Sequence, residues 1–122
     1  MKVKISTNKK FHAINIQETE LAANMTEELQ ERLMIFLQKV VKNLVVIMKD
    51  IQKIDSAAAN ELLHIQRHFY DHHASFVLCE LQPSVKKFFN QDEQFEAFQI
   101  TATYSEAVDM VHLEEIEREM TD

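Results

Sequence analysis

Three groups of residues in this sequence are of types that do chemistry, and each also has a plain structural explanation. Asp55 and Ser56 stand side by side after an apolar run and a short polar turn, where helical periodicity begins. A serine in that place sits where unpaired backbone N–H groups and the positive end of a helix dipole face solvent. A phosphate on it would be favoured there and would add roughly −1.5 to −2 charges at pH 7 to the surface of the helix. The competing explanation is that Asp55 or Ser56 is an N-cap worth about 1 kcal/mol. His64, His68 and His72, with His73 beside the last, recur at a spacing of four. That spacing puts imidazoles on neighbouring turns of one helix face, and such a pair can chelate Zn²⁺ or Ni²⁺. A complete site needs further ligands, for which Asp71 or a distant acid would have to serve. The alternative is a solvated stripe beside the core-facing Leu62, Ile65 and Phe69, one that gains charge below about pH 6.5. Cys79 lies inside an apolar run, where a thiol acts as a small hydrophobe and nothing nearby activates it as a nucleophile.

Composition removes several classes of function. The 122 residues contain no Gly, one Pro and one Cys, whereas average usage would supply roughly nine glycines. Phosphate-cradling P-loops and dinucleotide fingerprints need glycine for close backbone approach or positive φ, so neither is present and no nucleotide cofactor is expected. Turns that need positive φ must use Asn, Asp or His, with candidates at Asn8, Asn43, Asp71, His72, Asn90 and Asp92. The apolar share of 46% and charged share of 27% suit an ordered domain, and the length suits one domain over 1–122. No apolar run approaches a membrane span, the opening MKVKISTNKK lacks a signal-peptide apolar stretch, and the lone cysteine excludes a disulfide framework. A reducing, cytoplasmic setting without membrane insertion is the expectation. The net charge is −7, and from Ser105 onward seven acids (Glu106, Asp109, Glu114, Glu115, Glu117, Glu119 and Asp122) face Arg118 alone, a net of −6. The remainder is therefore near neutral, with no basic stripe for a nucleic-acid backbone.

The elements that must position these residues follow from apolar periodicity. Met1–Ile5 and Phe11–Ile16 alternate around the turn-like Ser6–Lys10 and predict a hairpin. Asn24 with Glu27 predicts a capping box opening an amphipathic helix through Leu29, Leu33, Phe36, Leu37, Val40 and Val41, ending near Asn43. Leu44–Met48 is a continuous apolar run, as in a strand covered on both faces, and Phe76–Leu81 is another buried run. Between them Ala57, Ala58, Ala59, Leu62, Leu63, Ile65 and Phe69 mark a second helix. Pro83 suits the first turn of a third, Phe98–Thr101 is a short strand, and Thr103 with Glu106 caps a fourth helix with the acidic end at 112–122. The order β-β-α-β-α-β-α-β-α predicts an α/β domain with a mostly parallel, helix-covered sheet.

Leu44–Leu63, LVVIMKDIQKIDSAAANELL, resembles the "iDSSGL…LL" signature of STAS domains, the family named for sulfate transporters and anti-sigma-factor antagonists. PSVKKFF (Pro83–Phe89) is similar to that family's P-x-V-x-x-x-F segment, TYSEAV (Thr103–Val108) to its closing helix, and TELAANMTEEL (Thr19–Leu29) to its "GELD…T…L" corner. The resemblance runs from about Phe11 to Val111. It implies a STAS-like fold, a sheet of about four to five strands under about four helices, and a binding module with no catalysis. In soluble antagonists of the family a serine kinase that is also an anti-sigma factor phosphorylates the serine after the aspartate, and only the unphosphorylated form binds that partner. By this resemblance the phospho-acceptor is Ser56, its acidic neighbour Asp55, and the partner-binding surface Asp55, Ser56, Ala57, Ala58, Ala59 and Asn60. The partner is a histidine-kinase-like ATPase that holds the nucleotide, or another regulatory protein. The sequence departs from the pattern at Thr19 and Ala22 (Gly and Asp of the corner), at Ala57 and Ala58 (second Ser and Gly), and at Ile47, often polar in the family. These departures also suit a STAS subunit of a lipid-transport complex, which docks on a transporter ATPase without phosphorylation. A metal-binding protein using His64, His68 and His72 is the alternative from a different class.

Overall fold

The computed structural model describes residues 1–121. Strands β1 (Val3–Thr7) and β2 (His12–Ile16) form the antiparallel hairpin, in the register Val3↔Ile16 to Thr7↔His12. Its turn closes without glycine because the Asn8 side chain accepts hydrogen bonds from the N–H groups of Lys10 and Phe11, each 2.9 Å. Strands β4 (Leu44–Ile47), β6 (Phe76–Cys79) and β7 (Ile100–Thr101) add in parallel, giving the order β1-β2-β4-β6-β7. A second, two-stranded sheet escapes the periodicity because each strand has only two residues. There β3 (Glu20–Leu21) runs parallel to β5 (Lys53–Ile54).

Both faces of the main sheet are covered, which is why its central strands read as unbroken apolar runs. Ile14, Ile16, Leu44, Val46, Phe76 and Leu78 belong to the larger core, packed with Leu29 and Leu33 of α1 (Thr26–Met34) and with Ala58, Leu62, Ile65 and Phe69 of α2 (Ser56–Asp71). Phe11, Ala13, Val45, Val77 and Cys79 form the smaller core with Ala107 and Val111 of α4 (Tyr104–Thr121). Helix α3 (Pro83–Phe89) starts with proline in its first turn, and Thr103 caps α4 as expected, its hydroxyl accepting from the Glu106 N–H (3.1 Å) and donating to the Glu106 carboxylate (3.2 Å). Cys79 is fully buried, and burial, reinforced by the charge of Glu80, pushes its thiol pKa up to about 12. Nothing in that environment makes it a nucleophile.

Three expectations need correction. The first helix does not run to Asn43: the α-helix stops at Met34, tightens into a 3₁₀ turn over Ile35–Gln38, and becomes extended at Lys39 (φ −90°, ψ 163°). Val40 is 98% exposed, so its helical spacing was coincidental, and the chain needs these residues to turn into β4. The Asn24–Glu27 capping box does not form either; Asn24 lies inside a 3₁₀ turn, Ala23–Met25, and the residue preceding α1 makes no side-chain cap. Positive φ, finally, occurs among the described residues at His73 (58°) and Glu80 (57°), and at none of the six Asn, Asp and His candidates. His73 follows α2 in a Schellman arrangement, donating to the Tyr70 carbonyl (3.1 Å) while Ala74 donates to that of Phe69 (2.9 Å). A histidine thus holds the left-handed position that glycine normally fills.

At the end of the sheet where β4 and β6 begin, Asn43 is a buried hub. Its amide nitrogen donates to the Lys10 carbonyl (3.0 Å) and to Glu115 (2.6 Å), and its oxygen accepts from the Ser75 N–H (2.8 Å) and from Arg118 (3.2 Å). Hairpin, sheet and α4 are thereby tied together at one pole. The opposite pole, at the carboxyl ends of the parallel strands, carries the start of α2, the place where α/β sheets usually present their binding sites.

Candidate functional site

Asp55 is the N-cap of α2, with extended backbone at φ −99° and ψ 172°, as capping geometry requires. Its Oδ1 accepts a hydrogen bond from the Ala58 N–H at 2.9 Å, satisfying one of the orphan donors of the first turn. Its Oδ2 accepts from the Ala23 N–H at 2.8 Å, in a segment 32 residues away. One carboxylate therefore caps α2 and holds down the turn that opens α1. The backbone repeats the connection: Asp55 N–H donates to the Leu21 carbonyl (3.1 Å), and Gln52 and Lys53 both donate to that of Thr19 (2.7 and 3.2 Å). The TELAA corner and the strand leading to Asp-Ser are thus one stitched unit.

That unit explains why the departures at the corner leave the fold intact. Thr19 replaces a family glycine, yet its backbone is not left-handed, so a side chain is tolerated. Ala22, where the family has aspartate, is extended (φ −129°, ψ 171°) and carries no carboxylate, leaving Asp55 as the acid that anchors the corner. Ala57 and Ala58 lie within the helix, where alanine has the best propensity.

Ser56 is the first residue of α2 and is exposed, as are Ala57 and Asn60, with Asp55 half-buried beside them. Ala58 and Ala59 are not part of this surface. Both are fully buried, because positions two and three after Ser56 turn into the core alongside Leu62. The expectation of exposed alanines at 58 and 59 is therefore wrong, and the accessible patch is Asp55, Ser56, Ala57 and Asn60. Ile47 is half-buried on the α4 side of the central strand, in line with Cys79 rather than with this patch.

The histidine stripe continues along the ridge from Asn60. His64 and His68 approach with ring nitrogens 3.1 Å apart in an edge-on arrangement. His72 does not join them, since its Nδ1 lies 2.7 Å from the His68 carbonyl of its own helix. Among the described residues no three His, Cys, Asp or Glu side chains are grouped to hold a metal ion. No helix among them is long and apolar enough to cross a membrane. Sequence reasoning missed the Asp55–Ala23 contact, which no local pattern encodes, although the aspartate itself carries the one available hint.

The family model for the STAS domain matches residues 4–107. A search of curated proteins finds no match. Similar solved structures include an anti-sigma-factor antagonist (STAS) domain protein from Planctomyces limnophilus (TM-score 0.75, 12% identity, covering 89% of this chain and 96% of that one). A serine-to-glutamate variant of RsbS from Moorella thermoacetica has a TM-score of 0.73 at 18% identity, covering 97% and 99%. SpoIIAA of Bacillus, a cell fate determinant in its phosphorylated form, has a TM-score of 0.64 at 18% identity, covering 90% and 99%. At these identities the likeness is one of fold.

Proposed function

The chain belongs to the STAS domain family, and from that premise we propose that it is a regulatory protein-binding module of the anti-sigma-factor antagonist kind, switched by phosphorylation of Ser56. It acts by contact in the cytoplasm and has no catalysis of its own. The observation that carries the reading is the geometry of Asp55, whose two oxygens are both committed to backbone N–H groups. That brace holds Ser56 at the first position of a 16-residue helix with its side chain in solvent, where a kinase can reach it. The surrounding patch, Ala57 and Asn60, is small and polar enough for a partner to approach closely.

Phosphorylation would change this surface in two ways. It would add roughly two negative charges beside the Asp55 carboxylate, and it would replace a small hydroxyl by a bulky tetrahedral group at the centre of the patch. A partner packed against Ser56 and Ala57 then faces both like-charge and steric exclusion. The partner of this chemistry is a histidine-kinase-like ATPase that is also the anti-sigma factor. Titration calorimetry of that partner against wild type, Ser56→Ala and Ser56→Asp tests the reading. Ser56→Ala should bind within about threefold of wild type and Ser56→Asp at least about tenfold more weakly, since a buried unpaired charge at an interface costs more than 1.4 kcal/mol. Equal binding by all three would remove the switch and leave the patch, at most, as a docking surface of the transporter-ATPase kind.

A further inference from the structure

Helix α4 has two apolar sides, and the fold uses only one of them. Ala107 and Val111 face the sheet and are fully buried. Leu113, Ile116 and Met120 recur at i, i+3 and i+7, which places them on a single stripe. At roughly 100° per residue the stripe lies about 140° to 200° around the axis from Val111, the side turned away from the protein. Their exposures agree, at 59%, 51% and 81%. Scattered exposed hydrophobics need no explanation, but three large ones in a row opposite the core-facing side form a contiguous patch, which on a soluble domain marks a contact surface.

The charges around the stripe select its occupant. Asp109 and Glu117 lie four residues before and after Leu113 on the same face, and Glu106 precedes it by two turns; all three are exposed. Arg118, the one Lys or Arg in α4, points the other way, donating to Asn43 and Ser75 at 3.2 and 3.1 Å. The outward face therefore combines three apolar side chains with exposed acids and no Lys or Arg among the described residues. A second copy of this face would set acid against acid, and an anionic membrane surface would be repelled.

We propose that the outward face of α4 is a second docking surface, for a basic amphipathic helix of a partner protein whose apolar side covers Leu113, Ile116 and Met120 and whose Lys or Arg residues meet Asp109 and Glu117. It is independent of the Ser56 patch: it leaves α4 on the opposite side from the sheet, and its binding does not require phosphorylation. Two amphipathic helices that pair side by side meet through apolar anchors recurring at helical spacing, with charged residues flanking the seam.

The probe is a fluorescently labelled synthetic helical peptide of Leu and Lys, with Leu at i, i+3 and i+7, followed by anisotropy at low salt. A control peptide carries Glu in place of each Lys. Wild type should bind the Leu/Lys peptide and not the Leu/Glu peptide. The variant Leu113→Ser, Ile116→Ser, Met120→Ser should bind at least about tenfold more weakly, as expected for loss of the central apolar anchors, and Asp109→Lys, Glu117→Lys likewise. These side chains face solvent, so the variants should keep the wild-type circular dichroism spectrum. The proposal is overturned if the Leu/Lys peptide fails to bind, or if either variant binds it as wild type does. It is also overturned if wild type sediments as a dimer that the serine variant turns into monomer, since the occupant would then be a second copy.

Discussion

Replacing Asp55 by alanine should destabilise the protein more than loss of an ordinary helix cap, because one carboxylate serves two elements. Two charge-assisted hydrogen bonds disappear, to Ala58 N–H at 2.9 Å and to Ala23 N–H at 2.8 Å. Bonds to charged groups contribute about 1.5–3 kcal/mol each. The Ala23 amide is exposed and regains water, so its share falls below that range, to about 0.5 kcal/mol, and with about 1.5–2.5 kcal/mol from the part-buried Ala58 bond the two together come to about 2–3 kcal/mol. For a domain of this length that is a fall in Tm of roughly 6–15 °C. Asp55→Asn separates the two bonds. Its remaining oxygen still caps Ala58, but its NH₂ group presents a donor to the Ala23 N–H, so about half the loss is expected. Urea denaturation measures the totals, and amide hydrogen exchange resolves them. In Asp55→Asn, exchange at Ala23 should accelerate while Ala58 stays protected; in Asp55→Ala both should accelerate. A loss below about 0.5 kcal/mol for the alanine variant, in the range of a featureless surface change, would refute the double brace, as would identical exchange patterns in the two variants.

His73 occupies the left-handed position after α2 at φ 58°, so His73→Gly should raise stability by about 1 kcal/mol, the cost of a Cβ in that region, read as a higher urea midpoint. Asn43→Ala should cost about 2–4 kcal/mol in the same assay, because the Ser75 N–H and Arg118 lose a shared acceptor in a buried setting. The Cys79 thiol, raised to about 12 by burial, should resist alkylation at pH 8 at a rate set by unfolding. Its neutral form is favoured in the folded state, so the associated stability is complete below the unfolded thiol's pKa and is lost as pH rises toward 12. The stability difference between wild type and Cys79→Ala should therefore shrink over that alkaline window, and a constant difference would contradict the burial.

Most of the architecture was legible because it rests on periodicity. Leu44–Ile47 and Phe76–Cys79 are covered on both faces and cannot be mistaken for amphipathic elements, and the Thr103 cap on the Glu106 N–H is local. What failed depended on tertiary context. Val40 and Val41 continue the helical spacing of Leu29 and Leu33, yet the chain must leave the helix to enter the sheet, a demand set by β4 and not by the local sequence. The start of α1 looked like an Asn24 cap, but the acceptor that reaches it is Asp55, distant in sequence. At the candidate site the Asp-Ser pair was visible as a helix start, while the sorting of the alanines into exposed Ala57 and buried Ala58 and Ala59 was not. Three identical residues in a row carry no phase; only the packing of Leu62 and Leu63 below them supplies it.

The most direct measurement of the proposed switch is phosphotransfer from ATP by a histidine-kinase-like anti-sigma factor, the partner proposed for it, followed by mass spectrometry and by partner affinity before and after. One phosphate, mapped to Ser56, absent in Ser56→Ala and accompanied by an affinity loss of at least about tenfold, is the predicted result. A phosphate mapped elsewhere, or stoichiometric phosphorylation of Ser56 that leaves the affinity unchanged, would contradict the switch.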